Sequence, residues 1–142
     1  PELMTGLPRA VTAATGMDAL THAVEAYISG WRTDESDRLA ETAVRAIFAH
    51  LPVACRDGGD LPARERMALA ATWAGMAFTR ANVGNVHAIA HQLGGRYHTP
   101  HGLANAIVLP HVLRFCSSEA EPRLAALARA VGLGKAREAE SA

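Results

Sequence analysis

The feature that most constrains the fold of this chain is the spacing of its apolar residues, which recur every three or four positions. In residues 15–30 these positions are Met17, Leu20, Val24, Tyr27 and Ile28. Such spacing places the side chains on one face of a helix. Alternating runs of β-branched residues, which indicate strands, are scarce, and aromatic residues make up only 5% of the chain. The chain is therefore predicted to be all-α, a helical bundle.

Glycine, proline and potential capping residues divide the chain into further helices. Boundary residues are expected at Thr15 and Gly30 for the first helix, Thr33, Asp34, Ser36 and Pro52 for the second, Pro62 for the third, and Gly94 and Gly95 for a short fourth. The fifth helix is expected to bend at Pro110. A last helical segment is predicted in residues 119–132.

Length and charge narrow the classes of function. A chain of 142 residues has the size of one domain, and its 14 basic and 14 acidic residues balance. Neither a nucleic acid nor a membrane partner is therefore expected. The sequence has no long apolar run and no signal-peptide pattern, so a cytoplasmic location is expected. Cys55 and Cys116 form no CxxC motif, and both are expected to be reduced.

Four of the seven histidines lie between positions 87 and 101. They are His87, His91, His98 and His101. His87 and His91 are four residues apart, so both lie on the same face of a helix. Asp18 and His22 repeat this interval on the first helix. If the two faces meet, they can enclose a metal ion, and His101 can add a further ligand after the turn that contains Pro100.

The distribution of acidic residues supports a ligand from the first helix. Residues 67–118 contain no Asp or Glu, although all four clustered histidines lie there. A metal site built on these histidines must take its carboxylate from elsewhere, and Asp18 is a suitable donor. Imidazole and carboxylate ligands together suit Fe(II), Zn(II) or a similar ion.

Spacing by itself leaves other interpretations open. A pair of histidines four apart on an Ala-rich helix more often serves packing or surface chemistry than metal ligation. Asp18 follows Thr15 by three residues, so it could be the acidic partner of a capping box. Glu25, one turn after His22, could orient a ligand or could be a structural or solvent-facing carboxylate.

Two stretches of the sequence resemble the signatures of a known family. They are TAATGMDALTHAVEAYIS at 12–29 and GNVHAIAHQLGGRYHTPHGLANAIVLPHVLRF at 84–115. They resemble the iron-containing (group III) alcohol dehydrogenases, in the helical C-terminal domain of these dehydroquinate synthase-like two-domain enzymes. The similarity extends from Pro1 to about Gly134.

The resemblance implies a role for each clustered residue. It implies that Asp18, His22, His87 and His101 bind a divalent metal, with Fe2+ expected and Zn2+ as the alternative. It also implies that His91 lies beside the nicotinamide and the substrate, contacts the cofactor and helps proton transfer. His98 has no implied role as a ligand.

The implied function is the interconversion of an alcohol and an aldehyde or ketone with NAD or NADP, the metal acting as a Lewis acid on the substrate oxygen. Residues 1–142 are then expected to be one helical metal-binding domain, a fragment that lacks the N-terminal dinucleotide-binding domain and the last helices, after about Ala136. The intact enzyme is expected to act on a small molecule and to form a homo-oligomer. The alternatives are a non-catalytic helical metal-binding module and a glycerol dehydrogenase-like enzyme.

Overall fold

A computed structural model of the chain describes residues 1–133, and within that range it contains helices and no strand. The prediction of an all-α fold is confirmed for these residues. The elements are a 3-10 helix at Glu2–Met4, α1 (Arg9–Ile28), α2 (Asp34–Arg56), α3 (Leu61–Ala81), α4 (Asn85–Tyr97), α5 (His101–Phe115) and α6 (Ser117–Ala130). The stretch after Ala136, where the family's last helices are expected to be missing, lies outside the described residues.

Helices α1, α2 and α3 pack against one another and form the largest part of the core. Their contact faces are rich in fully buried alanine: Ala23, Ala26, Ala40, Ala43, Ala70, Ala74 and Ala77. Small side chains at a helix contact allow the two axes to approach closely. Gly16 of α1 extends this pattern, because a Cβ there would overlap the side chain of Leu51 on α2.

Helix α5 packs on α1, and α4 packs on α5. Helices α1 and α5 approach closely at Gly102, where a Cβ would overlap the backbone carbonyl of Ala14. Only glycine allows so close an approach of the two backbones. Since His101 is the first residue of α5, this contact holds it beside the middle of α1, where Asp18 lies.

The predicted boundary of α1 is wrong. The helix begins at Arg9, directly after Pro8, so Thr15 lies in its interior and its hydroxyl donates to the carbonyl of Val11. Pro8 fixes the extended backbone from which the helix starts, and it is the stronger signal. The predicted cap of α2 is confirmed, because Thr33 and Ser36 form a reciprocal capping box.

Two predicted breaks are also wrong. Pro52 lies inside α2, and α4 continues through Gly94 and Gly95 to Tyr97. Glycine lowers helix stability by about 1 kcal/mol relative to alanine, which tertiary packing readily offsets. Pro110 lies inside α5, so the two sides of the expected bend belong to one helix. Helix α4 instead ends at His98, which adopts a left-handed conformation with φ of 54°.

Two further expectations concern location and redox state. Among residues 1–133 there is no helix with both the length and the hydropathy that crossing a bilayer requires. Cys55 and Cys116 are free thiols, as expected from their spacing.

Candidate metal centre

The structure brings together the four residues that are predicted to be metal ligands. Asp18 and His22 lie on α1, His87 on α4 and His101 on α5. Asp18 Oδ1 is 3.4 Å from His87 Nε2 and 3.3 Å from His101 Nε2. Asp18, His22 and His87 each offer a donor atom within 4.8 Å of the other two. These donor atoms are close enough together for one metal ion to bind to them.

The capping interpretation of Asp18 is wrong. Thr15 lies inside α1 and bonds to the helix backbone, so α1 has no capping box at this point. Asp18 instead faces the imidazoles of α4 and α5. Burial raises the pKa of Asp18, but His87, His22 and His101 together with the amide of Asn105 outweigh burial and hold it below its usual value. Asp18 is therefore a carboxylate at neutral pH.

His22 is held by stacking on both faces of its ring. The ring centroids of Phe78 and His87 each lie 4.4 Å from that of His22. Burial, together with the imidazoles of His87 and His101, lowers the pKa of His22 despite the neighbouring Asp18 carboxylate. A neutral imidazole keeps a nitrogen lone pair, which ligation of a metal requires.

Glu25 fixes the orientation of His87. Glu25 is 3% exposed; its Oε1 accepts the backbone N–H of Val86 at 2.7 Å, and its Oε2 lies 2.6 Å from His87 Nδ1. Gly84, at the N-cap of α4, makes room for this carboxylate, because a Cβ there would lie 2.9 Å from Oε1. Glu25 is thus not solvent-facing, and its contact with His87 Nδ1 fits an orienting role beside the structural one at the start of α4. With Nδ1 engaged, Nε2 of His87 faces Asp18.

The centre favours positive charge. Burial lowers the pKa of His87, but the hydrogen bonds and charges of Asp18 and Glu25 outweigh burial and raise it to about 9. Burial also raises the pKa of Glu25, while bonds from His87 and from backbone N–H groups at the start of α4 hold it below its usual value. Two carboxylates that hold a proton on a buried imidazole can equally stabilise a metal cation.

Asn105 is a member of the cluster that the sequence reasoning missed. It is fully buried on α5, and its Nδ2 lies 2.5 Å from Asp18 Oδ1 and 3.1 Å from His101 Nε2. The available signal was its position four residues after His101, which places both side chains on one face of α5.

His91 and His98 occupy different places. His91 lies one turn after His87 on α4 and is exposed, with its ring centroid 5.2 Å from that of His101 and 5.9 Å from that of His87. It borders the cluster on its solvent side. His98 is the exposed C-cap of α4, and its backbone role accounts for its position.

The residues present fit a divalent metal. Three imidazoles and one carboxylate form a donor set that suits both Fe2+ and Zn2+. Asn105 Nδ2 lies within 3.2 Å of Asp18 Oδ1, His101 Nε2 and His87 Nε2, so these three atoms are directed at a common point. A largely apolar cavity of about 660 Å3 has Asp18 and His101 on its wall, so the centre is open on one side to a small molecule.

Comparisons with known proteins point to one family. A sequence model described as the Fe-containing alcohol dehydrogenase family, C-terminal, matches residues 12–142. The 1,3-propanediol dehydrogenase of Klebsiella pneumoniae is 59% identical over 115 residues, which are 81% of this chain and 30% of that protein. The chain thus spans about a third of the length of such relatives.

Solved structures give the same result. A crystal structure of 1,3-propanediol oxidoreductase superposes with a TM-score of 0.91 at 54% identity, covering 93% of this chain and 35% of that one. The sulfoacetaldehyde reductase of Bifidobacterium kashiwanohense, solved in complex with NAD+, gives a TM-score of 0.89 at 33% identity, covering 94% of this chain and 36% of the other. The family expected from the two signature stretches is therefore confirmed: the chain belongs to the iron-containing alcohol dehydrogenases and corresponds to their helical C-terminal domain.

Proposed function

We propose that this chain is the metal-binding domain of an NAD(P)-dependent alcohol dehydrogenase that interconverts a small alcohol and the corresponding aldehyde or ketone. The observation that carries the proposal is the convergence of Asp18, His22, His87 and His101 from three separate helices. The relatives named for 1,3-propanediol support a short-chain alcohol or diol as substrate. The NAD+ complex of a structural neighbour supports the nicotinamide cofactor.

The four converging side chains would hold the ion, which we propose to be Fe2+, with Zn2+ as the alternative. When bound, a divalent metal supplies Lewis-acid chemistry toward the substrate oxygen. Asp18 contributes the negative charge that offsets part of the ion's charge. Glu25 keeps the proton on Nδ1 of His87, so that Nε2 presents its lone pair to the centre.

The cavity of about 660 Å3 beside Asp18 and His101 is the proposed place for the substrate. Its other walls come mainly from the first half of α1 and the start of α5, and they are largely apolar. Apolar walls suit the carbon chain of a short alcohol and exclude water from the reacting oxygen.

His91 is the proposed proton-handling residue. Its exposed ring lies one turn from His87 and stacks at 5.2 Å on His101, so it is near the centre without being buried in it. An imidazole in this position can accept the alcohol proton and release it to solvent. We also propose that His91 contacts the nicotinamide, which a separate dinucleotide-binding domain would supply.

We further propose that residues 1–142 are one domain of a longer polypeptide that assembles as a homo-oligomer. The share of the relatives' length that the chain covers supports the first part. Large apolar side chains remain exposed on α4 and α5, namely Ile89, Ile107 and Phe115. Such side chains favour burial against another domain or another copy.

The proposal is tested on the intact protein that contains this chain. It is purified, its bound metal is measured, and oxidation of C2–C4 alcohols and diols is followed as NAD(P)H formation before and after complete chelation. We expect turnover to disappear on chelation and to return with Fe2+ or Zn2+. Asp18→Asn should lower the metal content, whereas Asp34→Asn, at an exposed position of α2, serves as the matched control.

Two results would contradict the proposal. Full turnover in fully demetallated protein would remove the Lewis-acid role. Stoichiometric metal without any turnover, over a wide range of alcohols and carbonyl compounds, would instead favour a non-catalytic metal-binding module.

A further inference from the structure

The chain passes from α3 to α4 through a backbone conformation that few residues adopt. Asn82, directly after α3, has φ of 64° and ψ of 169°. This combination lies outside the small left-handed region that asparagine tolerates, in a region that is essentially restricted to glycine. The residue is exposed, so burial of its side chain does not account for the conformation.

Contacts on both sides of Asn82 impose this conformation. Before it, the carbonyl of the fully buried Ala81 accepts a hydrogen bond from the hydroxyl of Ser29 at 2.5 Å. After it, the carboxylate of Glu25 accepts the backbone N–H of Val86 at 2.7 Å. Glu25 lies in the last turn of α1 and Ser29 is its C-cap, so the link between α3 and α4 joins two points that α1 fixes. A strained residue persists where its surroundings determine the backbone in this way.

The same link joins the two residues whose rings stack on His22. Phe78 lies one turn before Asn82 on α3, and its carbonyl accepts the N–H of Asn82 at 2.7 Å. His87 lies in the first turn of α4. The ring centroids of Phe78 and His87 each lie 4.4 Å from that of His22, with interplanar angles of 22° and 15°. A different path of the link would therefore displace one of these two rings relative to the other.

We propose that Asn82 is a positioning residue, whose strained backbone sets the link that holds Phe78 and His87 against the two faces of the His22 ring. The inference rests on the proposed metal site and deepens it, because His22 and His87 are two of its proposed ligands. Glycine adopts the same backbone path without strain, whereas a β-branched residue resists it most strongly. Substitutions at this one position therefore separate the effect of the backbone path from that of the side chain.

The experiment compares wild type, Asn82→Gly and Asn82→Val in the intact protein that contains this chain. Thermal stability is measured after chelation, and Zn2+ affinity is measured by competition with a chromophoric chelator. Asn82→Gly should raise the melting temperature by a few degrees and leave Zn2+ affinity unchanged, because the strain it relieves exceeds the entropy that glycine adds to the unfolded chain. Asn82→Val should lower the melting temperature. It should also lower Zn2+ affinity on the order of tenfold, as when a residue that orients a ligand is lost.

Gly132→Val is the matched control, because it places the same side chain at another position of positive φ. Gly132 has φ of 82° and follows α6, whereas the proposed ligands lie on α1, α4 and α5. The control variant should lower the melting temperature and leave Zn2+ affinity unchanged. If Asn82→Val does not fold, Asn82→Ala should show the same two changes to a smaller extent.

The outcomes separate this inference from the proposed function. If wild type binds Zn2+ and Asn82→Val binds it as tightly, or if Asn82→Gly melts below wild type, the inference is overturned while the metal site stands. If wild type binds no Zn2+, the proposed metal site is overturned, and crystal structures of wild type and Asn82→Val decide the inference. A ring of Phe78 or His87 that has moved away from His22 in the variant supports it, and unchanged centroid distances overturn it.

Discussion

Nδ1 of His87 lies 2.6 Å from Oε2 of Glu25, and both side chains are buried. The same carboxylate accepts the backbone N–H of Val86, so one residue of α1 both fixes the start of α4 and orients His87, a proposed ligand, on it. The N-cap of α4 is Gly84, which has no side chain to perform the first task. Capping of α4 and orientation of the His87 ring are therefore coupled in a single side chain.

Replacing Glu25 with Gln should weaken both functions. The single amide oxygen of Gln can accept from Val86 N–H or from His87 Nδ1–H but not from both, so the N–H2 group faces the other donor, and the negative charge beside His87 is lost. We expect the free energy of unfolding to fall by about 1–3 kcal/mol, as for a buried polar group left unsatisfied. Metal affinity should fall roughly 10- to 100-fold, as for other residues that orient a ligand. Chemical denaturation and metal titration measure the two effects.

Glu41→Gln is the control for this substitution. Glu41 forms an exposed pair with Arg45 at 2.8 Å on α2, and such pairs contribute about 0.5 kcal/mol or less. If Glu25→Gln behaves like Glu41→Gln in both measurements, Glu25 neither stabilises the start of α4 nor orients His87.

Gly102→Ala should displace α5 from α1. Its Cβ would overlap the carbonyl oxygen of Ala14, which is backbone and cannot move aside as a flexible side chain can. The start of α5 must shift, and His101 shifts with it, away from Asp18. We expect a loss of stability and a loss of bound metal in the same variant, measured by thermal unfolding and metal analysis.

Gly75→Ala is the matched control for Gly102→Ala, because it makes the same substitution away from the contact between α1 and α5. Gly75 lies inside α3 with open space around its Cα, so alanine there should stabilise the protein by up to about 1 kcal/mol. Normal metal content in Gly102→Ala would show that the contact between α1 and α5 does not position His101.

The helices, and the pairing of polar side chains on their faces, could be predicted from sequence because both depend on local periodicity, whereas the choice of proposed ligands came from the family resemblance. Asp18 and His22, like His87 and His91, are four residues apart, and a helix places such pairs on one face whatever surrounds it. The role of Glu25 could not be assigned in this way. It depends on how α1 and α4 lie against each other, which brings residues 61 positions apart into hydrogen-bond contact.

The errors at helix ends have a different cause. Thr15 is a good capping residue, yet Pro8 starts α1 earlier, and the hydroxyl of Thr15 bonds within the helix. Gly94 and Gly95 weaken a helix without ending it, because packing against α5 stabilises α4. Asn105 lies four residues after His101, so the spacing that grouped the histidines could also have placed it in the cluster. It was missed because an amide is not a usual ligand for these metals.

Replacing His91 with Ala should separate catalysis from metal binding. His91 borders the cluster but is exposed, so its loss should leave metal content close to that of wild type. Turnover should fall by roughly 10²- to 10⁴-fold, as when a general acid–base group is removed. Steady-state kinetics and metal analysis on the same preparation give both values.

His98→Asn is the matched control for His91→Ala. Asn tolerates the left-handed backbone conformation of this position, so the variant removes an exposed imidazole at the end of the same helix without straining it. It should change neither quantity. Loss of metal in His91→Ala would mean that His91 is itself a ligand.

Stability and metal affinity should depend on pH in opposite directions. Burial lowers the pKa of His87, but Asp18 and Glu25 raise it overall from 6.5 to about 9. A pKa raised by folding stabilises the fold fully below pH 6.5, and this stabilisation is lost as pH rises through about 9. Metal binding requires the neutral imidazole, so the affinity for metal should rise over the same pH range.

Thermal unfolding of chelated protein and Zn2+ titration across this pH range measure the two trends. Glu25→Gln should flatten both, because one of the two carboxylates that raise the pKa of His87 is neutralised. A metal-depleted protein whose stability rises between these pH values would contradict the assignment of the proton to His87.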